Sequence, residues 1–599
     1  MKWYFEPRRS SVQPGNADDS ALGLASIPTA LLQRHGAVVL DPALAAAIPG
    51  WPVPQSTVYR ARTLLVPDDL SAEPTLSVIN RVLAEVGVSL LPGGARTRPA
   101  ATSPASPREG LPTLPRRAWL IPATPAEDKA ALPVVVDAWV ALQALRAAAT
   151  KGQHRSLDKA AVRRISLEHL LVGSAITGSP VSEGGGVSGV PVSEGGGVSG
   201  PGSADSYIYG GWDARTPVEV CIPAPDRDCG DAWISQVGRR PVIAVLDTGV
   251  REHAWLDVLK DSGAAGGYTT VLPDGFVAID QPMQDTIRAQ SQPPPAVSGA
   301  GQQSAGTPPA GQADPPITFA WDTPVTAQPL VGELDTHTGH GTFIAGIVRQ
   351  VAPNAQVLAV RIMHSDGIVY EGDLMCALNL IAGRIEAALS GDMSQMVDVV
   401  SLSLGYFSET SADQTYGSGL WQVIESLLQM GVAVTAAAGN FSTSRRFYPA
   451  AFADLAPMPV QAPLISVGAL NPDGSKALFS DGGTWIRAWA SGAAMISTFP
   501  ADINGSRDPE VRRPAHPANV LPDGLSLPPW RAALDQDDFT SGFAAWSGTS
   551  FAAPVLAAVL AAELLAQITP DNGLKLDVSG AAAAVQRLAQ ALQTLGWPG

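Results

Sequence analysis

In the second half of the chain the apolar positions come in short continuous runs rather than alternating with polar ones. PVIAVLD (241–247), AQVLAVRI (355–362), VDVVSLSL (397–404), GVAVTAAA (431–438) and PLISVGAL (463–470) are such runs. Between several of them the apolar residues recur three and four positions apart. Leu374, Leu378, Ile381, Ile385 and Leu389 form one such stripe, and Leu420, Val423, Ile424, Leu427 and Leu428 form another. Continuous apolar strands alternating with amphipathic helices predict a parallel sheet covered on both faces. The expected fold is therefore α/β, a doubly wound, mostly parallel sheet, whose reactive groups would gather at the carboxyl ends of the strands.

The first half is patterned differently. VYRARTLLVP (58–67) reads as a strand, and Leu76, Ile79, Val82, Leu83 and Val86 follow helical spacing. VSLL (88–91) returns as a strand, and two further amphipathic helices are predicted at 134–149 and 158–171. This is expected to be a smaller N-terminal α/β or α+β domain. Between the halves the decapeptide PVSEGGGVSG occurs twice, from Pro180 and from Pro191. Gly/Ser repeats without large apolar residues cannot offset the entropy of ordering, so they read as a flexible linker. The predicted division is 1–175, an N-terminal domain; 176–235, linker and lead-in; and 236–599, the larger domain. Gln281 to Pro316, rich in Pro, Gln, Gly and Ala, reads as a disordered surface insertion, and 502–537 is another Pro-rich stretch.

Composition narrows the function classes. The 599 residues carry 39 basic and 55 acidic side chains, a net charge of −16. That balance argues against nucleic acid as a partner, because affinity for phosphate comes from clustered Lys and Arg. The N-terminal stretch MKWYFEPRRSS shows no apolar segment of signal-peptide length. The nearest candidate for a membrane span, Ala552 to Ile568, is Ala-rich and interrupted by Glu563, so it reads as a buried helix and no membrane partner is expected. Cys221, Cys229 and Cys376 give no disulfide framework and no zinc spacing. Pairing of Cys221 with Cys229 stays open, but a reduced, cytoplasmic protein fits, with secretion by another route not excluded.

Four residues carry candidate chemistry. Asp247 ends an apolar strand ahead of Thr248-Gly249, where an ordinary turn or cap aspartate is the alternative. His340 stands between two glycines in GHGTFIAG, ahead of an apolar helix; His337, three residues earlier, lacks that framing. Ser550 lies in SGTSFAAP at a helix start, where a nucleophile gains the positive end of the dipole and a nearby backbone N–H. A capping serine is the plainer reading. Asn440 in TAAAGN follows a strand, and its amide could donate to an oxyanion, although Gly-Asn turns are common.

Together they are more specific than singly, because Asp…His…Ser is the subtilisin order. VAPNAQVLAVRI (351–362), VVSLSLG (399–405), YPA (448–450), ISVGAL (465–470), FSDGG (479–483) and RAWASGAAMISTFP (487–500) add to it. From about 239 to 568 the chain resembles the subtilisin-like serine proteases. The resemblance implies a serine endopeptidase in which Ser550 attacks, His340 relays the proton, Asp247 orients the imidazole and Asn440 holds the oxyanion. It implies protein or peptide substrates, paired with edge strands at Ser403, Leu404, Gly405 and at Ala437, Ala438, Gly439. No cofactor is required; calcium stabilises many relatives, but no matching set of carboxylates is found and no metal residue is assigned. The separation of Asp247 and His340 looks long for the family, Tyr406 follows Gly405 where small residues are frequent, and Phe343 stands where relatives place a histidine. A lipase or esterase would want G-x-S-x-G and another order, and a catalytically silent peptide-binding scaffold is the competing class. The segment 58–91 is a candidate inhibitory or folding-assisting pro-segment; a recruitment domain is the alternative.

Overall fold

The computed structural model describes residues 1–7, 27–93, 114–123, 135–152, 154–174, 215–260, 268–270, 275–292, 317–324, 326–328, 333–410, 418–454, 461–505, 512–514, 530–532, 535, 537–568, 574–576 and 580–598. The repeat linker lies outside these residues.

Strand β1 (Trp3–Phe5) is followed by β2 (Ala37–Leu40), β3 (Thr57–Val66), helix α1 (Thr75–Ala84), β4 (Val88–Pro92), β5 (Arg116–Pro122), α2 (Ala138–Lys151) and β6 (Ser166–Gly173). Strands β2 to β6 pair antiparallel, and Leu64, Val66, Ile79, Leu83, Leu90, Leu120, Leu142 and Leu145 close their core against α1 and α2. The helix expected over 158–171 is not there. Only Lys159–Val162 is helical, capped by the Asp158 carboxylate on the N–H of Ala161, and the chain then extends into β6. Leu167, Leu170 and Leu171 carry helical spacing, but strand partners on both sides take up their backbone, and tertiary pairing overrides the local pattern.

The larger unit contributes β7 (Val242–Asp247), β8 (Val277–Ile279), α3 (Gln281–Ser291), α4 (His340–Val351), β9 (Gln356–Arg361), β10 (Ile368–Tyr370), α5 (Glu371–Leu389), β11 (Val399–Leu402), β12 (Leu404–Gly405), α6 (Gly419–Gln429), β13 (Ala433–Ala437), β14 (Leu464–Leu470), β15 (Ala488–Ser491) and α7 (Thr549–Ala566). Its sheet runs β1-β15-β14-β13-β11-β7-β9-β8 and is parallel except for β1. Alternate residues of each strand feed two cores. Ile243 and Val245 pack with Phe343, Val399 and Val555 on the α4/α7 face, while Ala244 and Leu246 pack with Leu378, Ile381 and Leu427 on the α5/α6 face. Helix α7 is apolar all round because it is sunk against the sheet, in keeping with a buried helix.

Two expectations change. Residues 281–291, taken as part of a disordered insertion, form α3. The Asp280 carboxylate caps it at the N–H of Met283 (3.0 Å), Gln284 exchanges two hydrogen bonds with the Arg361 backbone, and Met283 and Ile287 enter the core. Residues 293–316 lie outside the described set. In addition, residues 1–7 sit with the larger unit: β1 lines up antiparallel on β15, and the Trp489 indole and Lys476 ammonium donate to the Glu6 carboxylate.

Candidate active site

Asp247 ends β7, and His340 opens α4 beside it. Nδ1 of His340 lies 2.8 Å from Oδ1 of Asp247, and the same oxygen accepts from the Thr248 N–H at 2.8 Å. The flanking glycines have separate reasons. Gly339 has φ +83°, where an L side chain is strained, and a Cβ there would lie 2.4 Å from the Phe499 ring. A Cβ on Gly341 would lie 2.3 Å from the Gly249 carbonyl oxygen. Asp322 locks the turn by accepting from the Gly339 N–H (2.6 Å) and the Thr248 hydroxyl (3.1 Å), which in turn accepts from the Gly341 N–H. Burial pushes the Asp322 carboxyl above its usual range.

Ser550 stands in the first turn of α7. Despite its small neighbours Gly548 and Ala552, it is fully buried. The cover is the chain's own β6 and the residue after it. Gly173 pairs with Leu404 and Val172 with Gly405 on one side, while Val172, Leu171 and Leu170 pair with Ile368, Val369 and Tyr370 on the other. The Ser174 N–H donates to the Ser403 carbonyl at 3.0 Å. The Ser174 carbonyl accepts from the Ser550 N–H at 2.9 Å and from the Asn440 side-chain amide at 2.6 Å. Thr549 fixes that amide, because its N–H and hydroxyl both donate to the Asn440 Oδ1. The loop carrying Asn440 is tied down by Asp481, which accepts from the N–H groups of Phe441 and Thr443 and whose carboxyl burial pushes well above its usual range. The Ser550 hydroxyl donates to the Ser403 carbonyl at 3.1 Å, and Nε2 of His340 has no hydrogen-bond partner among the described residues. Burial, with the neighbouring His340 and Arg215, holds the His337 imidazole well below its usual range.

The arrangement is a strand of the chain lying in a two-sided groove, with one carbonyl oxygen aimed at two donors beside a serine, a histidine and an aspartate. Residues 238–575, more than half of the chain, match the family described as Subtilase family. The chain belongs to the subtilase family of serine proteases.

Subtilisin E of Bacillus subtilis (strain 168) is 30% identical over 228 residues, 36% of this chain and 52% of its own length. Subtilisin of Bacillus pumilus is also 30% identical over 228 residues, 73% of its length. The thermophilic serine proteinase of Bacillus sp. (strain AK1) is 32% identical over 178 residues, 28% of this chain and 37% of its own length. The chain thus spans about half the length of the first of these relatives. All three alignments leave most of this subtilase uncovered.

Leu404 and Gly405 pair with β6, and the Ser403 carbonyl accepts from the N–H of Ser174 just after it. Ala437, Ala438 and Gly439 do not. Ala437 is inside the parallel sheet against Val467, the Ala438 N–H donates to the Val467 carbonyl, and the Gly439 N–H donates to the Thr549 hydroxyl. The second groove strand is Ile368–Tyr370, which the sequence reading missed; its signal was the short apolar run IVY after Asp366-Gly367. Tyr406, the large residue after Gly405, stacks on His169 of β6 with ring centres 4.4 Å apart. Phe343 is core packing against Trp546 and Phe551.

Proposed function

We propose that this subtilase is a serine endopeptidase that works through an acyl-enzyme, and that its own residues 170–174 lie in the groove as its first substrate. The observation carrying this reading is the Ser174 carbonyl oxygen, held at 2.9 and 2.6 Å by the Ser550 N–H and the Asn440 amide. Donors so placed stabilise the charge that develops when a carbonyl is attacked. In this reading the Ser550 hydroxyl leaves the Ser403 carbonyl, gives its proton to Nε2 of His340 and bonds to the Ser174 carbonyl carbon. Asp247 holds the proton on Nδ1, which keeps Nε2 basic. Collapse breaks the Ser174–Ala175 bond as His340 returns the proton to the Ala175 nitrogen. Water then cleaves the Ser174 ester, leaving a carboxylate and restoring the Ser550 hydroxyl.

The N-terminal domain then acts as a pro-segment: while its last strand fills the groove, no other peptide can enter. A groove closed until that strand leaves fits selective processing of protein substrates better than bulk digestion. Labelling with a fluorophosphonate probe, comparing wild type with Ser550→Ala, tests the chemistry. Wild type should label after incubation and the variant should not. Wild type that stays unlabelled throughout would favour a silent peptide-binding scaffold.

A further inference from the structure

Gly173, one residue before the carbonyl held by Ser550 and Asn440, faces the ring of His337. A Cβ on Gly173 would lie 2.6 Å from both Cδ2 and Nε2 of that ring and 3.2 Å from the Met363 sulfur. The ring has nowhere to retreat. Behind it stands Gly367, with φ +87°, whose own Cβ position would be 2.3 Å from the His337 Nδ1. The ring is therefore clasped between two glycine backbones, and these are bonded to each other, the Gly173 N–H donating to the Gly367 carbonyl at 2.8 Å. The His337 N–H is pinned to the Ser365 carbonyl at 2.8 Å, and its Nδ1 sits 3.1 Å from the Thr336 hydroxyl. The His340 ring, centred 5.2 Å away, and that of Trp546 at 6.2 Å close the remaining sides. Contacts under 3 Å against a pinned ring force a backbone shift rather than a rotamer change.

Resting on the reading of residues 170–174 as substrate, we propose that His337 closes the subsite immediately N-terminal to the cleaved residue, so that this protease accepts only glycine there. Its substrates are peptides that enter extended, pair with Ile368–Tyr370 and Leu404–Gly405, and present glycine one residue before the residue whose carbonyl is attacked, as Gly173 does. His337 acts as a specificity residue: it takes no part in the proton transfers or the covalent steps, but excludes any side chain at that position.

The test compares the full chain, Gly173→Ala, and Gly173→Ala combined with His337→Gly, following cleavage after Ser174 by intact mass. Gly173→Ala should slow that cleavage by roughly thirtyfold or more, the range expected for a methyl forced into a filled site. Removing the imidazole in the double variant should restore most of the rate. Cleavage of Gly173→Ala at the wild-type rate would overturn the proposal. The same substitutions placed on Ser550→Ala give a readout that needs no catalysis, namely hydrogen exchange of the Ser174 amide. It should be protected in Ser550→Ala, exposed after Gly173→Ala, and protected again with His337→Gly. Protection that survives Gly173→Ala would sink the closed subsite. If wild type never cuts while the exchange pattern holds, the protease reading falls and the steric assignment stands.

Discussion

The parallel sheet and the N-terminal antiparallel sheet are both well packed inside, but the seam joining them is built from other material. Within the parallel sheet, neighbours are Val, Ile, Leu and Ala on both faces. At the seam, β6 presents Glu168 and His169 inward, among charged groups. Glu168 accepts from Arg60 and Arg117, and Arg117 also reaches Asp373 of α5 at 2.8 Å. His169 lies 2.6 Å from Glu371 through Nδ1 and 2.6 Å from Glu409 through Nε2. Further along, Arg34 and His35 meet Asp335 and Asp366. With the exception of Arg34, these groups are buried. Buried apolar contact tolerates small changes gradually, whereas a buried ion pair contributes little net stability when intact and costs heavily when one partner is removed. A seam of this kind adds little net stability while intact and is lost steeply when one partner is removed.

The largest separation of the two regions should come from Arg117→Ala. It leaves Glu168 and Asp373 buried without their shared cation, a loss of about 3–5 kcal/mol. The expected outcome is an N-terminal domain that docks poorly while the parallel sheet keeps its melting transition, read by hydrogen exchange across β6 against β13. Equal loss of protection in both would mean the two regions are one cooperative unit. Next in size, Asn440→Ala should leave both folds intact and slow cleavage by about 10²–10³, the magnitude known for such a donor in subtilisin. A smaller, graded effect is expected from pH. Burial pushes the His169 imidazole down, but the Glu371 and Glu409 carboxylates outweigh it and hold it at about 10. With the docked value above the free value of 6.5, this contribution is complete below pH 6.5 and is lost as pH rises through about 10. Docking should therefore survive mild acid and weaken in alkali, as a titration of N-terminal fragment release would read. Release near pH 6 with retention at pH 10 would reverse the assignment.

The same contrast explains what was legible in the sequence. Strands β7, β9, β11, β13 and β14 and helices α4 to α7 rest on continuous apolar runs, helical spacing and local glycine punctuation, which a single sequence displays, whereas the grouping of Asp247, His340, Asn440 and Ser550 rests on their order and on the resemblance to the subtilisin-like proteases. Strand β6 does not display itself. It is buried on both faces, so Leu167, Leu170 and Leu171 show helical spacing instead of alternation. Its Glu168 and His169 are satisfied only by residues as distant as Arg60 and Glu409. Helix α3 is hidden for a related reason, its polar composition offset by Met283, Ile287 and the Gln284 bonds to Arg361. The groove strand Ile368–Tyr370 is three residues long and acquires meaning only when β6 lies against it. Long-range pairing decided each of these, and local pattern could not.

If the chain's own Ser174 carbonyl is presented for cleavage, the purified protein should cut itself there. Intact mass over time on the purified wild-type chain, with Ser550→Ala as the control, tests it most directly. A break between Ser174 and Ala175 is expected in wild type and none in the variant. Wild type that labels at Ser550 while remaining uncut after Ser174 would contradict it.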